Sequence, residues 1–361
     1  MKRYTDFLHS VRGKILLGCD GFVDETYEIV EVRKSQSEFT PMKKLKQFGE
    51  LLVARADGGV GLELVPKRRC EGGFAINTGR VAACLGLMPR LPGLYGGKAI
   101  DPAYEQFRNI CELYSLGDPA LTIALEFGDG KVLMSNLAAV SNLNWGDFEK
   151  HFGAKKLKEV FSGVDILGLG YWSLTANFDE LFQGFMKQYE TTPPPRRMFF
   201  DFADIKKKSR ESFVSSLELI RSFNRRMPMA LSLNEHEVLE LFSRIGVAPP
   251  ELNPKAVSAA LAVARKKIGF AELVVHTPEF AAASSAADGE AYAIQERQTK
   301  IVRLAGAGDS FNGGYLCASL GDLSLKERLV VANAVTAFFV THGTPPNKAE
   351  LAVQIEKASD K

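Results

Sequence analysis

Short apolar runs that end in a polar residue or glycine recur along the chain: Ile15–Cys19, Val164–Gly168, Met198–Asp201, Ala230–Asn234 and Leu273–His276. Runs this continuous read as strands buried on both faces of a parallel sheet, with their C-terminal ends turned toward a ligand. Between them, Phe178–Tyr189, Arg210–Phe223, Glu235–Phe242 and Pro254–Ile268 carry apolar residues at helical period. Ala75–Leu85 is also helical, with small residues on one face that allow close packing beneath a cleft. Leu121–Phe127 and Lys131–Asn136 alternate around Gly128-Asp129-Gly130 and predict a hairpin. The alternation of strand and helix predicts an α/β protein in three layers, α/β/α, around a mostly parallel sheet. Pro193-Pro194-Pro195 is a stiff spacer within this core. Residues 25–69 break the rhythm: a charged helix-like run, Met42–Ala54, is followed by Asp57-Gly58-Gly59-Val60-Gly61 and Leu62–Val65.

The densest chemistry lies near the C-terminus, in Val302-Arg303-Leu304-Ala305-Gly306-Ala307-Gly308-Asp309-Ser310-Phe311-Asn312-Gly313-Gly314. Small residues lead into an apolar helix, so the amides of Gly306, Ala307 and Gly308 gather as an anion hole at its N-terminus. A carboxylate placed there opposes a bound phosphate unless it takes the proton of an attacking hydroxyl, which makes Asp309 the candidate base of a kinase. The plainer reading is a glycine turn before a packed helix, with Asp309 as its cap. The chain has no Gly-x-x-x-x-Gly-Lys-Ser/Thr loop, and Phe311 stands where a dinucleotide fingerprint needs its third glycine.

Ala305-Gly306-Ala307-Gly308-Asp309-Ser310-Phe311 resembles the C-terminal signature of the PfkB/ribokinase family of carbohydrate and nucleoside kinases, and four further segments match in order. Ile15–Asp24 resembles the first strand, ending in a substrate-binding aspartate. Gly72-Gly73-Phe74-Ala75-Ile76-Asn77 resembles the glycine pair and asparagine that contact the sugar. Leu233-Asn234-Glu235-His236-Glu237 resembles the Asn-x-x-Glu element near magnesium and phosphate. Ala332-Asn333-Ala334 with Gly343-Thr344-Pro345 resembles the closing helix beside adenine.

The resemblance implies a ribokinase-like core from 1–24 and 70–361 and a small β-rich lid over the sugar from 25–69, joined by the hairpin 121–136. It implies ATP and Mg2+, with Asp309 as base, Asp24, Gly72, Gly73 and Asn77 on the sugar, Asn234 and Glu237 on metal and phosphate, and Asn333 on the nucleotide. The expected activity is transfer of the γ-phosphate to a hydroxyl of a pentose or hexose. The alternatives are a nucleoside kinase of the same family and a non-catalytic sugar-binding regulator. Asn234 to Glu237 also has a purely local reading, as the cap of a helix. A homodimer through the exposed lid edge is expected.

Three departures from the family pattern stand out. Arg303, Leu304 and Ala305 replace the usual Asp-Thr-Thr, whose aspartate helps hold a monovalent cation, so potassium activation is not expected. Val275–Phe280 lacks the customary Gly-x-x-Gly, and about fifty residues separate Asp24 from Asn77, which predicts an enlarged lid.

Composition changes little in this picture. At 361 residues the chain exceeds the roughly 250–300 residues of one core, in keeping with a core plus a small appendage. Its 45 basic and 43 acidic residues create no global field for nucleic acid or anionic membrane. Lys67-Arg68-Arg69 is a charged face close to the glycine pair. Five cysteines without a Cys-x-x-Cys pair argue against disulfides and zinc. With neither a signal-like N-terminus nor an eighteen-residue apolar run, a cytoplasmic enzyme is expected.

Overall fold

The computed structural model describes residues 1–224, 226–295 and 297–359. Among these residues the strands in chain order are β1 (Ile15–Gly18), β2 (Phe22–Arg33), β3 (Phe39–Pro41), β4 (Leu64–Gly72), β5 (Arg90–Gly93), β6 (Glu112–Ser115), β7 (Ala120–Phe127), β8 (Gly130–Asn136), β9 (Ile166–Gly170), β10 (Arg197–Asp201), β11 (Met229–Asn234), β12 (Glu272–His276), β13 (Phe280–Ser285) and β14 (Gly289–Ile294).

Nine of them form one sheet in the order β14-β13-β12-β11-β10-β9-β1-β5-β6. From β12 to β6 every pairing is parallel, while β13 and β14 add an antiparallel edge. Alternate residues of a strand enter opposite cores: Leu16 joins one apolar cluster and Ile15 and Leu17 the other, and likewise Phe200 and Phe199. Helices therefore cover both faces, and the α/β/α architecture follows from strands with no solvent side. The chain builds outward from β1 in both directions, to β5 and β6 on one side and β9 to β12 on the other. The carboxyl ends of β1 and β9 accordingly flank the point where such folds open a crevice.

The remaining five strands form a second sheet, ordered β3-β2-β7-β8 with β4 on β2. β2 pairs parallel with β7 and antiparallel with β4, setting Asp24 beside Thr122 and Cys70, and Thr26 beside Arg68. The helix Leu45–Ala54 packs on this sheet through Ile29, Met42, Phe48 and Leu125, with Phe48 stacked on Phe127 at 5.5 Å. It starts later than the sequence pattern suggests, and the Leu45 amide donates to Asp129 Oδ1 in the hairpin turn at 2.7 Å.

One expectation needs correction. Asp24 does not close the first strand: β1 stops at Gly18 and Asp24 lies inside β2, on the second sheet. The break falls where Gly21 passes so close to β5 that a Cβ on it would sit 2.0 Å from the Leu94 carbonyl oxygen. No helix among the described residues is long and apolar enough to cross a membrane.

Candidate active site

The crevice between the sheets has a volume of about 450 Å3. The carboxyl ends of the central strands supply its floor: Tyr171 after β9, Asp201 on β10, Asn234 on β11 and His276 on β12. Its roof is the inner face of the second sheet, where strand alternation brings Asp24, Thr26, Arg68, Thr122, Lys131 and Ser135 to one side. The Gly306–Asp309 loop closes one end.

Gly306 takes φ +88° and caps the helix Ala307–Ala318 from the left-handed region, where a side chain is strained. A Cβ on Gly308 would sit 3.2 Å from the His276 ring, so this glycine too is set by close approach. Of the three amides expected to form the anion hole, that of Ala307 is already engaged, donating to the Leu304 carbonyl at 3.0 Å. The amides of Gly308 and Asp309 make no backbone hydrogen bond among the described residues.

Asp309 is buried in the first turn of that helix. Its Oδ2 accepts from Asn77 Nδ2 at 2.9 Å and from the Tyr171 hydroxyl at 3.5 Å. Burial pushes the carboxyl well above the usual range and the nearby Asp201 adds to the rise, while the Asn77 hydrogen bond opposes it. Asn77 thus meets the candidate base, a role the sequence did not suggest. It stands in the helix Phe74–Cys84.

The glycine pair has a clear geometric reason. A Cβ on Gly73, which takes φ +110°, would lie 2.4 Å from Asp20 Oδ2, and one on Gly72 would lie 2.9 Å from Asp24 Oδ2. Asp20 accepts from the Phe74 amide at 2.5 Å and the Ala75 amide at 2.9 Å, capping the helix from across the loop. Burial raises its carboxyl to about 6 despite these bonds. Burial likewise raises Asp24, opposed by Thr122 and by the charges of Arg303, Lys131 and Arg68.

Asn234 and Glu237 form a capping box: Asn234 Oδ1 accepts from the His236 and Glu237 amides, and Glu237 Oε2 accepts from the Asn234 amide at 2.9 Å. Both also line the crevice. Burial and then Asp201 raise the Glu237 carboxyl. Asp201 accepts from Asn312 Nδ2 at 2.8 Å, one helical turn beyond Asp309. Asn333 stands apart from the crevice lining; its amide donates to the Ala293 carbonyl at 3.2 Å and its Oδ1 has no partner among the described residues. Sequence reasoning missed Asp20, Tyr171, Asp201, His276 and Asn312. For Asp201 and His276 the signal was present, since each ends a strand whose tip was read as facing ligand.

The fold is ribokinase-like, and the family match over nearly the whole chain makes the protein a carbohydrate kinase, a phosphotransferase with an alcohol group as acceptor. The Arabidopsis thaliana ribokinase complexed with ribose and ATP has the same fold, with a TM-score of 0.66 at 15% identity over 95% of this chain and 98% of that one. The Methanocaldococcus jannaschii nucleoside kinase gives 0.62 at 16% identity, covering 96% and 99%. Within that class, a profile of the prokaryotic ketohexokinase family matches residues 6–357, and the chain belongs to this family. The ketohexokinase of Haloferax volcanii is 28% identical over 343 residues, 94% of this chain and 90% of that protein.

Proposed function

We propose that the chain transfers the γ-phosphate of ATP to a hydroxyl of a ketohexose. The observation that carries this reading is a buried carboxylate, Asp309, set among the amides of a helix N-terminus at the end of a crevice whose opposite wall is polar. Family membership and the name of the Haloferax relative support a ketose acceptor.

In this reading the triphosphate tail lies at the Gly306–Asp309 loop, where the Gly308 and Asp309 amides and the helix dipole offset the charge that grows on the transferring group. The acceptor lies under the second sheet. Asp24 holds its hydroxyls, with Gly72 and Gly73 giving the backbone its close approach and the Asn77 carbonyl oxygen contributing an acceptor. Asp309 takes the proton of the attacking hydroxyl as the phosphoryl group moves. The raised affinity of Asp309 for a proton suits it to this task. Asn333 is given to the nucleotide side by the resemblance of its motif, with its side chain buried against the Ala293 carbonyl.

Magnesium fits the donor set. Glu237 is a carboxyl whose ionisation burial disfavours, so a divalent cation beside it would restore the charged form. Among the described residues no group of three acidic, histidine or cysteine side chains is placed to cage a metal. One or two carboxylates together with substrate phosphates is the usual magnesium arrangement. Glu237 and Asn234 would hold the ion, which when bound neutralises phosphate charge.

The enzyme is proposed to work in the cytoplasm and to pair as a homodimer through the second sheet, whose edge strand β8 exposes Leu133 and Met134. A coupled ADP-release screen over ketohexoses, aldohexoses, pentoses and nucleosides tests the proposal. ADP formation with fructose or another ketohexose is expected. Turnover confined to nucleosides, or sugar binding without ADP, overturns it.

A further inference from the structure

Tyr171 follows β9 directly and holds a left-handed backbone, φ 57° and ψ 43°, one of two non-glycine residues with positive φ among those described. For a bulky side chain this conformation is strained, and such strain collects where a site needs a group in a fixed place. The surroundings fix it from three sides. Its amide donates to the Asp201 carbonyl at 2.7 Å, and its ring meets Phe22 edge-on at 5.9 Å and Phe74 at 6.4 Å. Its hydroxyl then lies 3.5 Å from Asp309 Oδ2, the oxygen already bonded to Asn77. Among the described residues Asp309 Oδ1 has no side-chain or backbone donor.

We infer that Tyr171 is a positioning residue: with Asn77 it holds Oδ2 so that Oδ1 is presented to the acceptor hydroxyl. The inference rests on the reading of Asp309 as the base. A bond of this length is expected to tighten when the acceptor is bound. Burial pushes the phenol far above its ordinary range, so the hydroxyl stays protonated and can only donate to the carboxylate at working pH. The charged groups that face Asp309 are Asp201 at the end of β10 and Asp20 after β1, both of which favour its protonated form. The two donors on Oδ2 act against them.

Tyr171→Phe removes only the hydroxyl. Turnover should fall about tenfold, the effect of one hydrogen bond to a charged group. The KM values for ATP and ketohexose should stay within about twofold, since neither ligand loses a partner. The acid limb of the kcat profile should move to higher pH, because a donor that favoured the ionised carboxylate is gone. In an Asp309→Asn background the same change should cost nothing further. Tyr171→Met, read the same way, serves if the phenylalanine variant does not fold. Wild-type turnover with an unmoved pH profile overturns the inference. If Asp309→Asn is itself active, the reading of the base fails; if it is inactive while Tyr171→Phe is normal, only the positioning role fails.

Discussion

Asn77 and Asp309 are 232 positions apart in the chain, and the amide nitrogen of one lies 2.9 Å from a carboxylate oxygen of the other. That single bond joins the helix following the glycine pair to the helix following the anion loop. In the proposed reading, the acceptor side and the phosphate side of the crevice are therefore held at a fixed distance through Asp309.

If Asp309 takes the acceptor proton, Asp309→Asn should lower turnover roughly a hundred- to ten-thousand-fold, the usual contribution of general-base catalysis. ATP binding, measured by calorimetry, should persist. A variant that keeps more than half of wild-type turnover would show the residue to be only a helix cap.

Asp24 faces the crevice beside Thr122 and Arg68. Asp24→Ala should leave sugar hydroxyls without a partner at about 1–3 kcal/mol, which raises the acceptor KM by roughly 5- to 150-fold. The ATP KM should not move. Steady-state kinetics with each substrate varied in turn decides the matter.

Much of the frame was legible because local signals agreed. The helix Pro254–Ile268 appears where the pattern placed it, bounded by Asn253, whose side chain accepts from the Ala256 amide, and by left-handed Gly269. The antiparallel edge was not legible: β13, Phe-Ala-Ala-Ala-Ser-Ser, has little intrinsic strand preference and forms through pairing with β12 and β14. β5 is four residues long and contains Pro92. In the site, the motifs pointed to Asp309 but not to Tyr171, whose hydroxyl reaches it across 138 positions. Asp24 was assigned to the wrong sheet because the strand break at Gly21 depends on contact with Leu94.

Glu237 caps a helix and, in the proposed reading, also holds magnesium, and glutamine separates the two roles. Glu237→Gln keeps an oxygen for the Asn234 amide, so the melting temperature should hardly change. The magnesium concentration giving half-maximal activity should rise several-fold, because the charge that would attract the ion is lost. Unchanged magnesium dependence would leave the residue with the cap alone.

Potassium is expected to matter little. Arg303 lies over the Phe339 ring at 5.5 Å and donates to the Ala305 carbonyl, putting a fixed cation in the segment before the anion loop. Replacing sodium by potassium at constant ionic strength should leave turnover essentially unchanged, and a steep rise would contradict this.

Asp20 makes stability depend on pH. Its folded value of about 6 exceeds its ordinary 3.8, so the folded protein holds a proton that the unfolded chain releases. Its share of stability is complete below pH ~4 and is lost as pH rises to ~6, about 3 kcal/mol in all. Asp20→Asn should remove this part of the slope in denaturant melts taken across that range.

In the proposed reading the two sheets divide the labour of the crevice. Asp309, its partners and the phosphate loop belong to the large sheet and its helices, whereas Thr26, Arg68, Lys131 and Ser135 hang from the small one. With the acceptor lying beneath that face as proposed, substitutions there redraw which acceptor is admitted and leave the proposed transfer apparatus untouched. A lineage, or an engineer, seeking a new acceptor would find its variable positions at every second residue of β2, β4, β7 and β8.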